Sequence, residues 1–124
     1  MTEVTQQTHR LKTWPEYFNA VVDGTKTFEV RKNDRNYQIG DMLVLKEFDP
    51  QKQTFTLRIT YRVICYVLPG GQFGIETGYC VLGLREPELR SLRMVDEFNQ
   101  LRESELEKTK LENWNASWSQ GVRA

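Results

Sequence analysis

Lys26, Glu29 and Arg31, with Lys12 upstream, form the densest polar constellation attached to an otherwise apolar stretch of this chain. In extended backbone Glu29 and Arg31 fall on one face, and Lys26 stands at the entrance to the same segment. A cation, a carboxylate and a guanidinium fork around one concavity suit the recognition of nucleic-acid components. Arg31 would grip a phosphate or a base edge with two parallel bonds, Lys12 and Lys26 would act as point charges toward phosphate, and Glu29 would accept from a base amino group. The same residue types also suit a solvated strand face whose charges pair with a neighbouring strand, contacts usually worth under ~1 kcal/mol. Arg35 would extend a phosphate track, whereas Asn33 and Asp34 suit side-chain-to-backbone bonds that fix a turn before Gly40. Arg58 and Arg62 belong to the outward face of a long strand, where they would add positive potential or simply face solvent.

His9 is the sole histidine, and with no second partner in the sequence it reads either as a hydrogen-bonded structural residue or as part of a groove lining. Trp14, beside Pro15, and Phe73, within Gly-Gly-Gln-Phe-Gly, are candidate stacking surfaces for bases. Tyr17 shares that chemistry, while the helical spacing of Phe18 assigns it to the core. One histidine and the widely spaced Cys65 and Cys80 assemble none of the usual zinc patterns, so no metal and no other cofactor is expected. Both cysteines lie in apolar runs and read as buried free thiols of a reducing compartment.

The elements that must position these residues are legible from pattern. The polar first eight residues carry no period and read as a flexible leader. In Thr13 to Gly24, Thr13 can cap a helix, Glu16 completes a capping box, Pro15 suits the first turn and Gly24 supplies a left-handed stop. Thr27 to Lys32 alternates as a half-buried strand, with Phe28 and Val30 toward the core and Glu29 and Arg31 away from it. Met42 to Phe48 reads as a buried strand closed by Asp49-Pro50. Thr54 to Leu68 alternates cleanly, as one long bent strand or two consecutive ones, and Gly78 to Leu84 is a further strand after the Pro69-Gly70-Gly71 turn. From Glu86 the period becomes helical, with Leu92, Val95, Phe98 and Leu101 in a stripe, to about Lys110. Glu103, Glu105, Glu107, Lys108 and Lys110 read as its solvated face, and Trp114 and Trp118 beyond would fold back or dock on a protein partner. The fold class is therefore α+β or mainly β: a small, mostly antiparallel barrel with an early short helix and a C-terminal helix covering its openings.

At 124 residues the chain is one ordinary domain, and 17 basic against 17 acidic residues exclude a histone-like or tail-like polyelectrolyte. The balance hides a gradient, since residues 9–35 hold six basic and four acidic side chains while residues 86–113 hold five and eight. No apolar run approaches a membrane span and the N-terminus lacks a signal-peptide stretch, so a cytoplasmic protein with no membrane partner is expected.

Taken together, His-Arg-Leu-Lys-Thr-Trp-Pro-Glu-Tyr-Phe (9–18), Asp-Gly-Thr-Lys-Thr-Phe-Glu-Val-Arg-Lys-Asn-Asp-Arg (23–35), Tyr-Gln-Ile-Gly-Asp-Met-Leu-Val-Leu (37–45) and Gly-Tyr-Cys-Val-Leu-Gly-Leu (78–84) resemble the ASCH family of the PUA-like superfamily. The resemblance is greatest to a group of small bacterial and phage ASCH-related proteins and covers about residues 9–85, leaving 86–124 as a helix and tail outside it. It implies a barrel of five or six strands whose Lys26-to-Arg31 segment lines a surface groove. It also implies binding of RNA or a modified nucleoside or nucleotide through Lys12, Lys26, Glu29, Arg31 and Arg35. Some ASCH proteins are amidohydrolases that act on cytidine acylated at its exocyclic amine, with a lysine and an arginine where Lys26 and Arg31 stand. Those enzymes carry threonine at the position of Glu29, and their further glutamate has no counterpart here. Were this chain an enzyme, Glu29 would activate water and Lys26 would pair with it or stabilise an oxyanion.

Overall fold

The structure, a computed structural model, describes residues 6–121, with side chains described through residue 116. Its elements run β1 (Thr8–Thr13), α1 (Pro15–Val22), β2 (Phe28–Lys32), β3 (Met42–Asp49), β4 (Thr54–Pro69), β5 (Tyr79–Arg85) and α2 (Leu92–Gly121). The strands form one curled sheet in the order β1-β3-β4-β5-β2, a half-barrel of the α+β class. β1 runs parallel to β3 and the other three pairings are antiparallel.

β1 escapes pattern reading because its inward residues are His9, Leu11 and Thr13, only one of them aliphatic. Its first residue, Thr8, pairs with Met42, and the Gln7 carbonyl accepts from the Met42 N–H at 2.8 Å. The end of the leader expected over residues 1–8 is therefore ordered, because Thr8 belongs to β1 and backbone pairing reaches Gln7; residues 1–5 lie outside the described residues. Thr13 ends this strand instead of capping the helix. Trp14 takes the N-cap position with no side-chain cap bond, so the capping box does not form. Pro15 in the first turn and Gly24 at φ +87° behave as expected.

β3 is buried at five successive positions because both of its faces are covered. On one side Leu43 and Leu45 pack with Leu11, Phe18, Val21, Ile64 and Leu82. Phe18 and Val21 attach α1 to that core, each contributing about 1.5–3 kcal/mol by burial. On the other side Val44, Ile59 and Tyr61 meet Phe98 and Leu106 of α2. β4 is a single bent strand that pairs with β3 over its first half and with β5 over its second. The ladder shifts register between Ile64 and Tyr66, and Cys65 in that irregularity is exposed, a correction to its expected burial. Cys80 is buried, and both thiols are free.

α2 starts at Leu92, six residues later than the pattern suggests, and docks through a face its hydrophobic stripe does not announce. Phe98 packs edge-on against Tyr61 at 4.6 Å, but Leu92 and Leu101 are exposed. Contact continues through polar groups. Arg102 donates to the Ile59 carbonyl at 3.1 Å, and the Asn113 amide both donates to the Phe55 carbonyl and accepts from the Phe55 N–H. Glu105 is buried beneath Arg10 (2.6 Å) and Lys46 (3.2 Å), which corrects its assignment to a solvated face. Glu103, Glu107, Lys108 and Lys110 are exposed as expected. Trp114 is exposed on the same helix, and Trp118 lies outside the residues whose side chains are described.

Candidate functional site

β1 and β2 are the two edges of the sheet, so each presents backbone groups without a strand partner. Arg31 in β2 and Arg35 in the loop that follows it satisfy part of this requirement. Arg31 Nη2 donates to the Lys12 carbonyl at 3.0 Å and to the Thr13 hydroxyl at 3.3 Å, and Arg35 Nη1 donates to the Arg10 carbonyl at 2.7 Å. Arg10 and Lys12 are two apart in β1, so their carbonyls point to the same side. Guanidinium groups therefore bridge the seam where a closed barrel would have a ladder.

A cleft of about 550 Å³ opens along this seam, lined by Lys12, Thr13, Trp14, Tyr17 and Lys26 together with Phe28 through Arg31. Both faces of β2 contribute because the strand is an edge. The register pairs Glu29 with Leu82 and Arg31 with Cys80, so the polar face of β2 turns toward the interior beside buried β5 residues. Phe28 (43% exposed) and Val30 (53%) consequently face the cleft, the reverse of the expected alternation. The inversion is possible because the Glu29 charge is compensated locally. Glu29 is only 3% exposed; its Oε1 accepts from Lys26 Nζ at 2.7 Å and its Oε2 from Arg31 Nε at 3.0 Å. Lys26 Nζ also stands 5.4 Å from the ring centroids of both Tyr17 and Phe28. Lys12 extends over Phe48, 4.5 Å from its centroid, and is in no ion pair among the described residues.

The structure thus gathers Lys12, Trp14, Lys26, Glu29 and Arg31 at one cleft and places Arg35 at the adjoining end of the seam. Tyr17, Phe28, Val30 and Thr13 join them. Phe28 and Val30 escape detection because an alternating apolar pair is ordinarily the core face of a strand; only the i, i+2 spacing of Glu29 and Arg31 hinted that the polar side was self-sufficient.

Other candidates lie elsewhere. His9 is not part of the cleft lining: it is buried, its Nε2 is 2.8 Å from Asp41 Oδ2, and its ring meets Tyr37 edge-on at 4.8 Å. Asp41 also accepts from the backbone N–H groups of Gln7 and Gln38, so it, and not Asn33 or Asp34, holds the turn before β3. Burial raises the Asp41 pKa, but these bonds outweigh it and hold the carboxyl below its ordinary value. Phe73 is 83% exposed on the β4–β5 loop and lines no part of the cleft, being held out by a loop with positive φ at Gly71, Phe73 and Gly74. Arg62 is no outward charge: it is largely buried and donates to the carbonyls of Tyr61 and Val21. Arg58 is neutralised by Glu47 at 3.2 Å and lies over the Phe18 ring. Among the described residues no cluster of three or more His, Cys, Asp or Glu side chains could hold a metal ion. No described helix is long and apolar enough to cross a membrane.

Residues 8–84, β1 through β5 almost to its end, match the family described as a domain of unknown function, DUF3850. The chain belongs to that family. The DUF3850 region contains the whole seam and cleft, whereas α2 lies beyond it. A 40-residue stretch is 48% identical to an uncharacterized 12.9 kDa protein in the GpA 3' region of Escherichia phage P2. That stretch covers 32% of this chain and 37% of the phage protein.

Chemically, the cleft offers aromatic faces, at its rim a lysine in no ion pair among the described residues, and a floor of two cations locked on a carboxylate. Both Glu29 oxygens are already acceptors, so the triad presents N–H donors to a visitor more readily than a free base.

Proposed function

We propose that this chain binds RNA or a modified nucleotide by admitting one base into the cleft at the β1–β2 seam. The observation that carries this reading is that Trp14, Tyr17 and Phe28, each between 43% and 57% exposed, surround a polar floor of Lys26, Glu29 and Arg31. An exposed aromatic cluster around convergent polar groups is the usual composition of a small-ligand site. Stacking between such rings tolerates any base, while Lys26, Arg31 and Lys12 supply charge toward base acceptors or phosphate. The resemblance to ASCH proteins, which implies the same class of ligand, supports the proposal without deciding the ligand. Fluorescence anisotropy with a labelled single-stranded RNA and with the matching DNA tests it. Trp14→Ala and Tyr17→Ala should each weaken binding by roughly 5- to 100-fold, the usual range for one stacking contact. Unchanged binding in both would overturn it.

An amidohydrolase reading draws on one observation, the 2.7 Å Lys26–Glu29 couple at the cleft. For water activation Glu29 would first have to release a cation. Incubation with cytidine acylated on its exocyclic amine should then yield free cytidine at a rate lost in Glu29→Gln; release no faster than with that variant would end this reading.

A further inference from the structure

Past Arg31, the same seam opens into a second recess of about 330 Å³ in which Arg10, Lys12, Arg31, Arg35 and Lys46 face one carboxylate, Glu112. Lys12 and Arg31 line both recesses, so the two are neighbours across a single pair of side chains. The charges here are unequally engaged. Arg10 and Lys46 are partnered by buried Glu105, and Lys46 also binds Glu112 at 2.9 Å. Among the described residues the Lys12 ammonium has aromatic contacts and no ion pair, and Arg35 has the Arg10 carbonyl and a long 3.8 Å approach to Asp34. Glu112 is half exposed and comes from α2, outside the strands that build the seam.

We propose that this second recess takes a phosphate group of the ligand whose base enters the aromatic cleft, so that the ligand is a nucleotide or an RNA segment and not a bare nucleoside. The proposal rests on the base-binding reading of the first cleft. Lys12 and Arg35 are the principal phosphate contacts, Arg31 spans base and phosphate, and Arg10 adds potential from the wall. Guanidinium and ammonium groups converging from β1, β2, β3 and the loop after β2 onto one recess are an arrangement that selects phosphate over neutral groups. Glu112 is the local opponent, a carboxylate that competes with the incoming anion for Lys46.

The test is calorimetric titration of the full chain with the four ribonucleosides, their 5'-monophosphates and inorganic phosphate at low salt. At least one monophosphate should bind ten or more times more tightly than its nucleoside. Arg35→Gln, outside the aromatic cleft, should remove most of that advantage while leaving nucleoside binding in place, and Lys12→Gln, at the wall shared by both recesses, should lower monophosphate binding as well. Glu112→Gln should strengthen monophosphate binding several-fold. Glu107→Gln, which removes the same charge from an exposed position paired with Lys110, should not. Equal affinity for nucleosides and monophosphates would overturn the phosphate site and leave the base reading standing. Phosphate binding that depends on Lys12 and Arg35, with no nucleoside bound, would support the recess as an anion site and overturn its connection to a base. Equal effects of Glu112→Gln and Glu107→Gln would show general electrostatics only and overturn the assignment.

Discussion

Neutralising Glu29 while keeping its shape, as in Glu29→Gln, should destabilise the protein far more than neutralising its partner in Lys26→Met. The Glu29 side chain is 4% exposed, and those of Lys26 and Arg31 are 18% and 24% exposed. Losing the carboxylate leaves two cations facing each other across one neutral amide in partly desolvated surroundings. Removing one partner of a fully buried pair costs about 3–5 kcal/mol, and the residual exposure of these cations points to the lower end, ~3 kcal/mol. For a chain of 124 residues that corresponds to a fall in Tm of roughly 12 °C. Lys26→Met leaves Glu29 paired with Arg31, so one charged hydrogen bond is lost, about 1.5 kcal/mol at the lower end for such bonds because Lys26 is partly exposed. In the double variant Lys26→Met/Glu29→Gln, the lone Arg31 no longer faces a second cation, and the total loss should be less than the sum of the two singles. Urea denaturation followed by circular dichroism measures all three. A Glu29→Gln cost under ~1 kcal/mol, the value of a solvated surface pair, would refute the view that this triad lets β2 turn its polar face inward.

Three further outcomes rest on the same buried contacts and turns. Burial raises the pKa of both Asp41 and Glu105, but hydrogen bonds from His9, Gln7 and Gln38 to the first, and from Arg10 and Lys46 to the second, outweigh it and hold them below 3.8 and 4.5. Their stabilisation is therefore complete above those values and is lost as pH falls through the lowered folded ones. Urea stability should begin to fall as the pH drops below about 5 and go on falling below 3.8, and Asp41→Asn and Glu105→Gln should each flatten that acid limb; an unchanged slope would contradict the pairing. Glu105→Ala should cost about 3 kcal/mol and Glu103→Ala, two residues away and exposed, within about 0.5 kcal/mol, and equal effects would show that α2 does not dock as described. Gly70→Ala would drive a Cβ into the carbonyl oxygens of Glu76 and Tyr79 (2.5 Å from the latter) and should cost about 1–3 kcal/mol or more in thermal melts. Gly74→Ala meets no atom within 4 Å and should cost only the roughly 1 kcal/mol of a left-handed backbone.

Much of the barrel was legible because its strands alternate strongly. β3, β4 and β5 carry enough aliphatic residues for their period to be read, and Pro15 and Gly24 mark the ends of α1. β1 was not legible, because two of its three buried residues are His9 and Thr13, whose burial depends on Asp41 and Arg31 arriving from elsewhere. α2 was misread for a related reason. Beside Phe98 and Leu106 its docking face carries polar residues: Glu105 is buried beneath Arg10 and Lys46, Thr109 is buried and donates to the Glu105 carbonyl of its own helix, and half-buried Asn113 exchanges hydrogen bonds with the Phe55 backbone.

The candidate site divides in the same way. Residue type and spacing draw Lys12, Lys26, Glu29 and Arg31 together but suit a solvated strand face as well; the ASCH resemblance is what implies a ligand role for them and for Arg35. Linear sequence cannot show which side of β2 faces in. That depends on two edge strands, far apart in sheet order, being curled close enough for Arg31 and Arg35 to reach the β1 carbonyls. Closure across that seam is a long-range event, and it is what turns Phe28 and Val30 from expected core into the walls of a cleft.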